Sequence, residues 1–274
     1  MLIDIAVNIT DSQLAKNQEM LDQIIGRARE SNVMPVFTGI DCETSRKCVE
    51  LARRYRTVAT VGIHPTSSQQ CLDVSGIECL VKEDVVVAVG ECGLDYDRLE
   101  FADVNSQKRI FRSQLDLNGE CYFFHSRTCH RDFMEMICDY SLRGVVHSFT
   151  GTHEEAKELI RKGLYIGING CSVKTEEGIE VLKELPIDSI LVETDSPYCK
   201  IRNSYAGSKY VTSYFDGQKA LKKRNEPCCV IQVAEVISKV KNMEYEVVAD
   251  TLLNNTFSLY GDKVRYTAKL WQEV

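Results

Sequence analysis

The chain has 274 residues, 44% of them hydrophobic, enough for one large α/β barrel or two ordinary domains with a sizeable core. Its net charge of −7 argues against a protein that wraps long duplex DNA by bulk attraction, and no run approaches the roughly 20 apolar residues of a membrane span. The opening MLIDIAVNIT starts on a strand-like pattern without a basic or apolar leader, so no secretory signal is expected. Twelve scattered cysteines with no CxxC pair then read as free thiols in a reducing intracellular compartment, cytoplasmic or nuclear.

Short β-branched apolar runs alternate with longer stretches of helical periodicity. Strands are expected at 2–9, 34–40, 58–63, 85–90, 121–125, 144–149, 164–168 and 189–193. Helices are expected near 13–30, 43–55, 72–82, 104–118, 130–140, 153–162, 175–185 and 228–241. Thr10, Asp11, Ser12 and Gln13 fit a capping box for the first helix, which carries Leu14, Leu21, Ile24, Ile25 and Ala28 at helical spacing. Near-continuous runs such as VVVAVG suit parallel strands buried on both faces. Eight such units predict an α/β fold of the (β/α)8 TIM barrel type, a single domain over 1–274. No glycine fingerprint follows a strand, which disfavours an open doubly wound sheet. One long connection, 195–227, breaks the rhythm, and loops of that length inside a domain are usually functional.

Chemistry in such a barrel sits where the strands end. The strand ends carry Asn8 and Thr10, His64, Glu91, His125, His147, and then Glu193 and Asp195. Three of the five histidines fall in this set; His130 and His153 begin helices and read as solvated. Alone, His64 in GIHP reads more often as a turn histidine beside proline than as a ligand, and His125 and His147 read as satisfied core histidines, but independent core histidines have no reason to gather at strand ends. Imidazole and carboxylate suit magnesium, manganese or zinc, and a carboxylate can bridge two ions about 3.5–4 Å apart. The expected reaction class is metal-assisted hydrolysis.

The segments GECGLDYDR, FFHSR, VVHSFTGT, LYIGING and ETDSPY resemble, in order, the motifs of the TatD-type metal-dependent deoxyribonucleases. The resemblance runs from DIAVNITD at 4–11 to the Asn-Asn-Thr-Phe of 254–257, and NGCSVKT and AGSKY look like its eukaryotic branch. It implies one or two divalent ions, Mg2+ or Mn2+ with Zn2+ as an alternative, and hydrolysis of DNA phosphodiester bonds, exonucleolytic and 3'-5'. It implies Glu91, His125, His147 and Asp195 as metal ligands, with Glu91 bridging. His64 in GIHP would bind or protonate an oxygen near the scissile phosphate, making Glu91, His64 and Asp195 the catalytic set. One departure stands out. Many members carry His-x-His at the end of the first strand, where this chain has Asn8-Ile9-Thr10; an asparagine amide oxygen is a weaker ligand than imidazole, favouring exchangeable Mg2+.

Between 200 and 224 lie seven basic residues, Lys200, Arg202, Lys209, Lys219, Lys222, Lys223 and Arg224, opposed by Asp216 alone, so the segment is +6 and the remainder −13. Tyr198, Tyr205, Tyr210, Tyr214 and Phe215 are interleaved. Cations track a nucleic-acid backbone and aromatic rings stack on unpaired bases. Arg127, Lys209, Lys222, Lys223 and Arg224 are therefore the expected substrate-binding residues, and single-stranded or frayed DNA the expected partner. A metal-dependent amidohydrolase or deacylase is the alternative, favoured by an enclosed apolar pocket rather than a basic one. A scaffold that has lost its chemistry is a third reading, disfavoured by the retained ligand set. Cys92, beside Glu91, is the thiol expected to be sensitive to oxidation.

Overall fold

In the computed structural model, which describes residues 1–117, 119–213 and 224–273, the apolar runs form eight parallel strands. They are β1 (Leu2–Val7), β2 (Val33–Thr38), β3 (Val58–Val61), β4 (Val86–Asp95), β5 (Tyr122–Arg127), β6 (Gly144–Val146), β7 (Leu164–Ile168) and β8 (Ile190–Val192). They pair in sequence order, β1 to β8, in one eight-stranded sheet. The helices between them are α1 (Gln18–Glu30), α2 (Cys42–Tyr55), α3 (Ser75–Leu80), α4 (Val104–Leu115), α5 (His130–Ile137), α6 (His153–Arg161) and α7 (Glu176–Glu184). No described helix is long and apolar enough to cross a membrane.

The sheet curls into a barrel whose seam, between β8 and β1, is held by few backbone contacts. One parallel bridge joins Val7 to Ser196, and the Asn8 amide donates to Ser196 O at 2.9 Å. A side chain reinforces it: Asp4 Oδ1 accepts from Thr194 N at 2.8 Å, and Thr194 Oγ1 donates to Asp4 Oδ2. Asp4 is fully buried, and burial pushes its carboxyl well above the usual range despite these hydrogen bonds.

Four expectations need correction. The first helix starts at Gln18, not near 13: Asn17 caps it by accepting from Met20 N at 2.9 Å. Asp11 instead accepts from Gln13 N at 2.7 Å, closing a turn, and Leu14 enters the core from outside the helix. Strand β4 runs five residues past its expected end, through Glu91 to Asp95. Beyond α8 (Val230–Lys241) the chain forms two further helices, α9 (Tyr245–Tyr260) and α10 (Asp262–Gln272), where none were expected. The first closes the foot of the seam, where Asn255 Nδ2 donates to Ile187 O and Ile190 O, both at 2.8 Å. The second docks Trp271, 3% exposed, under the Arg29 guanidinium of α1 at 4.8 Å, a contact worth about 0.5–1 kcal/mol where solvent reaches it.

Candidate metal centre

The site begins with a defect in pairing. Along β4–β5, Val89 faces Tyr122 but Cys92 faces Phe124, so one extra residue is accommodated at Gly90–Glu91. A bulge re-aims the side chain beside it, here the Glu91 carboxylate. Two glycines permit the close approach: at Gly90 (φ +148°) a Cβ would lie 2.1 Å from Phe123 O, and at Gly93 (φ +145°) 1.9 Å from His125 O. No other residue fits either position.

Glu91 Oε1 then meets three imidazoles. His125 Nδ1 and His147 Nε2 are each 2.8 Å away, and His64 Nε2 is 3.3 Å away. Beyond them, Asp95 Oδ2 lies 3.0 Å from His125 Nε2, and Glu193 Oε1 lies 3.3 Å from His147 Nδ1. Glu193 is itself fixed by Ser148 N at 2.7 Å and Asn169 Nδ2 at 2.9 Å. All of these side chains are buried. Two groups bring ligand atoms within 4.8 Å of one another, Glu91–His125–His147 and His64–Asp95–His125. The donors fit a divalent cation: imidazole nitrogens and carboxylate oxygens converge, while Glu193 Oε2 has no hydrogen-bond partner among the described residues despite burial.

Asp195, in the left-handed region at φ +53°, lines the opposite wall of the same ≈ 940 Å³ cavity. Its Oδ1 accepts from Asn8 Nδ2 at 2.9 Å, and its Oδ2 from Cys199 Sγ at 3.3 Å. Asn8 Nδ2 also reaches Ser196 O at 3.3 Å, so the amide oxygen is the atom this side chain can offer a cation. Thr10 does not line the cavity.

Electrostatics separate the acidic groups. Burial works to raise Glu91, and the His147 and His64 imidazoles together with the His125 hydrogen bond outweigh it, holding the carboxyl well below its usual range. Burial likewise opposes a rise in His147, yet the Glu91 and Glu193 carboxylates carry it well above 6.5. Burial raises Asp195 to about 6, assisted by Glu91 and Glu193 against His147. His64 is pushed down to about 3, chiefly by burial, and is a neutral ring at neutral pH. Thr66 N donates to its Nδ1 at 3.1 Å, which leaves the proton on Nε2, toward Glu91.

The cations are distributed differently from the sequence expectation. Arg127 lines the cavity with Arg98, Lys200 and Arg202, and Tyr198 and Tyr205 stand at its wall. Lys209 does not reach it: its ammonium pairs with Glu176 at 3.1 Å and lies over the Tyr210 ring. Arg224 touches the cavity, but its guanidinium donates to the fully buried Glu226 at 2.9 Å, which Arg27 also contacts at 2.7 Å. Lys222 and Lys223, with Lys219, Tyr214 and Phe215, lie outside the described residues. His130 and His153 are half-buried rather than solvated, His130 Nε2 standing 2.8 Å from Glu158 Oε2. Cys92 is fully buried and its thiol is pushed well up by burial, the opposite of an oxidation-sensitive site. Asp95 and Arg98 are the groups the sequence reading missed; the signal was their place in the GECGLDYDR segment, past the bulge.

Over residues 3–261 the chain matches the family described as TatD related DNase. It is 63% identical, over 99% of both chains, to the TATDN1 homolog of Encephalitozoon cuniculi. To the 3'-5' ssDNA/RNA exonuclease TatD of Cronobacter sakazakii it is 35% identical, over 87% of this chain and 89% of that one. Among solved structures, the hydrolase TatD family protein from Entamoeba histolytica superposes with a TM-score of 0.87 at 30% identity, covering 94% of this chain and 97% of that one. The family match, the relatives and the barrel agree, and the chain belongs to the TatD-related DNase family.

Proposed function

We propose that the protein is a divalent-metal-dependent deoxyribonuclease that shortens single-stranded or frayed DNA in the 3'-5' direction. The observation that carries this is the convergence of three imidazole nitrogens on one Glu91 oxygen at the base of a cavity rimmed by cations. In this reading Glu91, His125, His147 and Asp195 hold Mg2+ or Mn2+. A bound divalent ion lowers the pKa of water and neutralises charge on the transferring phosphoryl group. The chain's own residues do the rest. Asp195 takes the proton of the attacking water on its carboxylate. His64 donates from Nε2 to a phosphate oxygen, as a neutral imidazole can. Arg127, with Arg98 and Arg202 at the rim, holds the backbone phosphates, and Tyr198 and Tyr205 offer rings to unpaired bases. The basic rim is what a phosphodiester needs and an acyl substrate does not, which favours this reading over an amidohydrolase.

The test is end-labelled single- and double-stranded DNA under Mg2+, Mn2+ and EDTA. A 5'-labelled strand should yield a ladder of shortening products that EDTA abolishes. Cleavage that survives EDTA, or release of the 5' label as mononucleotide from the start, contradicts the reading.

A further inference from the structure

Two cysteines that no step of hydrolysis uses face each other in the wall of the active-site cavity. Cys171 Sγ and Cys199 Sγ are 3.0 Å apart, and the residues are 28 positions apart in sequence. Both line the cavity that holds Glu91 and Asp195, and both are half-buried, so a small solute can reach them.

Backbone, not side-chain freedom, sets their proximity. The turn after β7 is closed by Cys171 N donating to Asn169 Oδ1 at 2.8 Å, and the turn after β8 by Tyr198 N donating to Asp195 O at 2.9 Å. The two turns touch: a Cβ on Gly170 would lie 1.9 Å from Cys199 O. Cys199 occupies the left-handed region at φ +49°, a backbone state a non-glycine residue holds only when its surroundings impose it. A disulfide needs sulfurs about 2.05 Å apart, so the pair is about 1 Å from bonding distance.

We infer that Cys171 and Cys199 form a reversible disulfide on reaction with a small-molecule disulfide of the glutathione type, and that this bond switches the metal centre off. One thiolate attacks the small disulfide, forming a mixed disulfide and releasing a thiolate. The second protein thiolate attacks the protein sulfur and releases the other. The protein gives up two electrons and two protons, and the small disulfide is reduced to two thiols.

The consequence for the site follows from Cys199. Its thiol donates to Asp195 Oδ2 at 3.3 Å. In the disulfide that proton is gone and the sulfur is drawn toward Cys171, so Asp195 loses the partner that orients this oxygen. Loss of such an outer partner typically costs about 10–100-fold in metal affinity or activity. Cys171 and Cys199 are therefore positioning residues. The activity consequence rests on the nuclease reading above; the bond itself does not.

The test uses the native protein, reduced and then incubated with glutathione disulfide, trapped with an alkylating reagent and mapped by peptide mass spectrometry. A Cys171–Cys199 peptide should appear, cleavage of single-stranded DNA should fall at least about tenfold, and dithiothreitol should restore it. Cys171→Ala should give no cross-linked peptide, and where the map shows Cys199 still unmodified its activity should match the reduced arm. In the native protein, separate glutathione adducts without the cross-link or a cross-link that leaves cleavage unchanged would overturn the inference, as would an equal loss in Cys171→Ala with Cys199 unmodified. Failure of the nuclease reading would show in the fully reduced arm, whereas failure of the thiol pairing shows in the peptide map.

Discussion

The two walls of the candidate metal-site cavity are built on opposite plans. The β4–β6 wall is dense: Glu91 meets His125 and His147 at 2.8 Å each, with Asp95 and His64 beside them and Glu193, from the end of β8, reaching His147. The seam wall is sparse: Asp195 is oriented by an amide from Asn8 and a thiol from Cys199, both weak or neutral donors. The difference says where perturbation should hurt most.

On the dense wall, Glu91→Gln removes the negative charge that three imidazoles share. Cleavage should fall by about 10⁴-fold or more, the scale seen when a residue acting as one unit with its neighbours is lost. A residual rate within tenfold of wild type in a steady-state assay would show that the wall is not one unit.

His64 lies on the same wall but is assigned to substrate. His64→Ala should lower the catalytic rate by about 10²-fold while bound manganese, measured by atomic emission, stays at the wild-type ratio. Loss of metal would instead make His64 a ligand in the His64–Asp95–His125 group.

On the sparse wall, Asn8→Ala leaves Asp195 Oδ1 without its donor. A drop of about tenfold is expected, appearing as a higher metal requirement, since raising Mn2+ should recover much of the rate. A deficit that no metal concentration recovers would mean Asn8 acts on substrate.

The smallest effect lies outside the cavity. Burial works to raise Glu235, but hydrogen bonds from Ser213 and Thr212, side chains and backbone both, outweigh it and hold the carboxyl below its ordinary value. A depressed carboxyl stabilises the fold above its unfolded pKa of about 4.3 and loses that contribution as pH falls through the folded value. Glu235→Gln should cost about 1–3 kcal/mol at pH 7, with the gap to wild type narrowing in urea unfolding below pH 4. A gap independent of pH would assign the cost to packing.

Most of the barrel was legible because buried parallel strands announce themselves as apolar runs, and the strand-end rule led to the candidates His64, Glu91, His125, His147 and Asp195, which the fold brings to one cavity. Asp95 was hidden by Gly90 and Gly93, which read as strand terminators in sequence and turn out to be the close-approach positions of a bulge. The start of α1 was misplaced because Asp11 satisfies a local turn that imitates a cap. Helices α9 and α10 went unread because eight strands and eight helices already completed the repeat. Lys209 counted as a free cation along the chain, but its partner Glu176 lies on α7, and charge pairing across the fold leaves no local sequence signal. Arg224 pairs with Glu226 two residues on, a partner visible in the sequence just past the 200–224 segment.

Glu91 is the proposed anchor of a divalent ion. Calorimetric titration of metal-free wild type and Glu91→Gln with Mn2+, the variant's fold verified by circular dichroism, tests this most directly. Saturable binding by wild type that is lost or weakened by about 100-fold in the variant is the predicted result. Equal affinity and stoichiometry in the two proteins would contradict it.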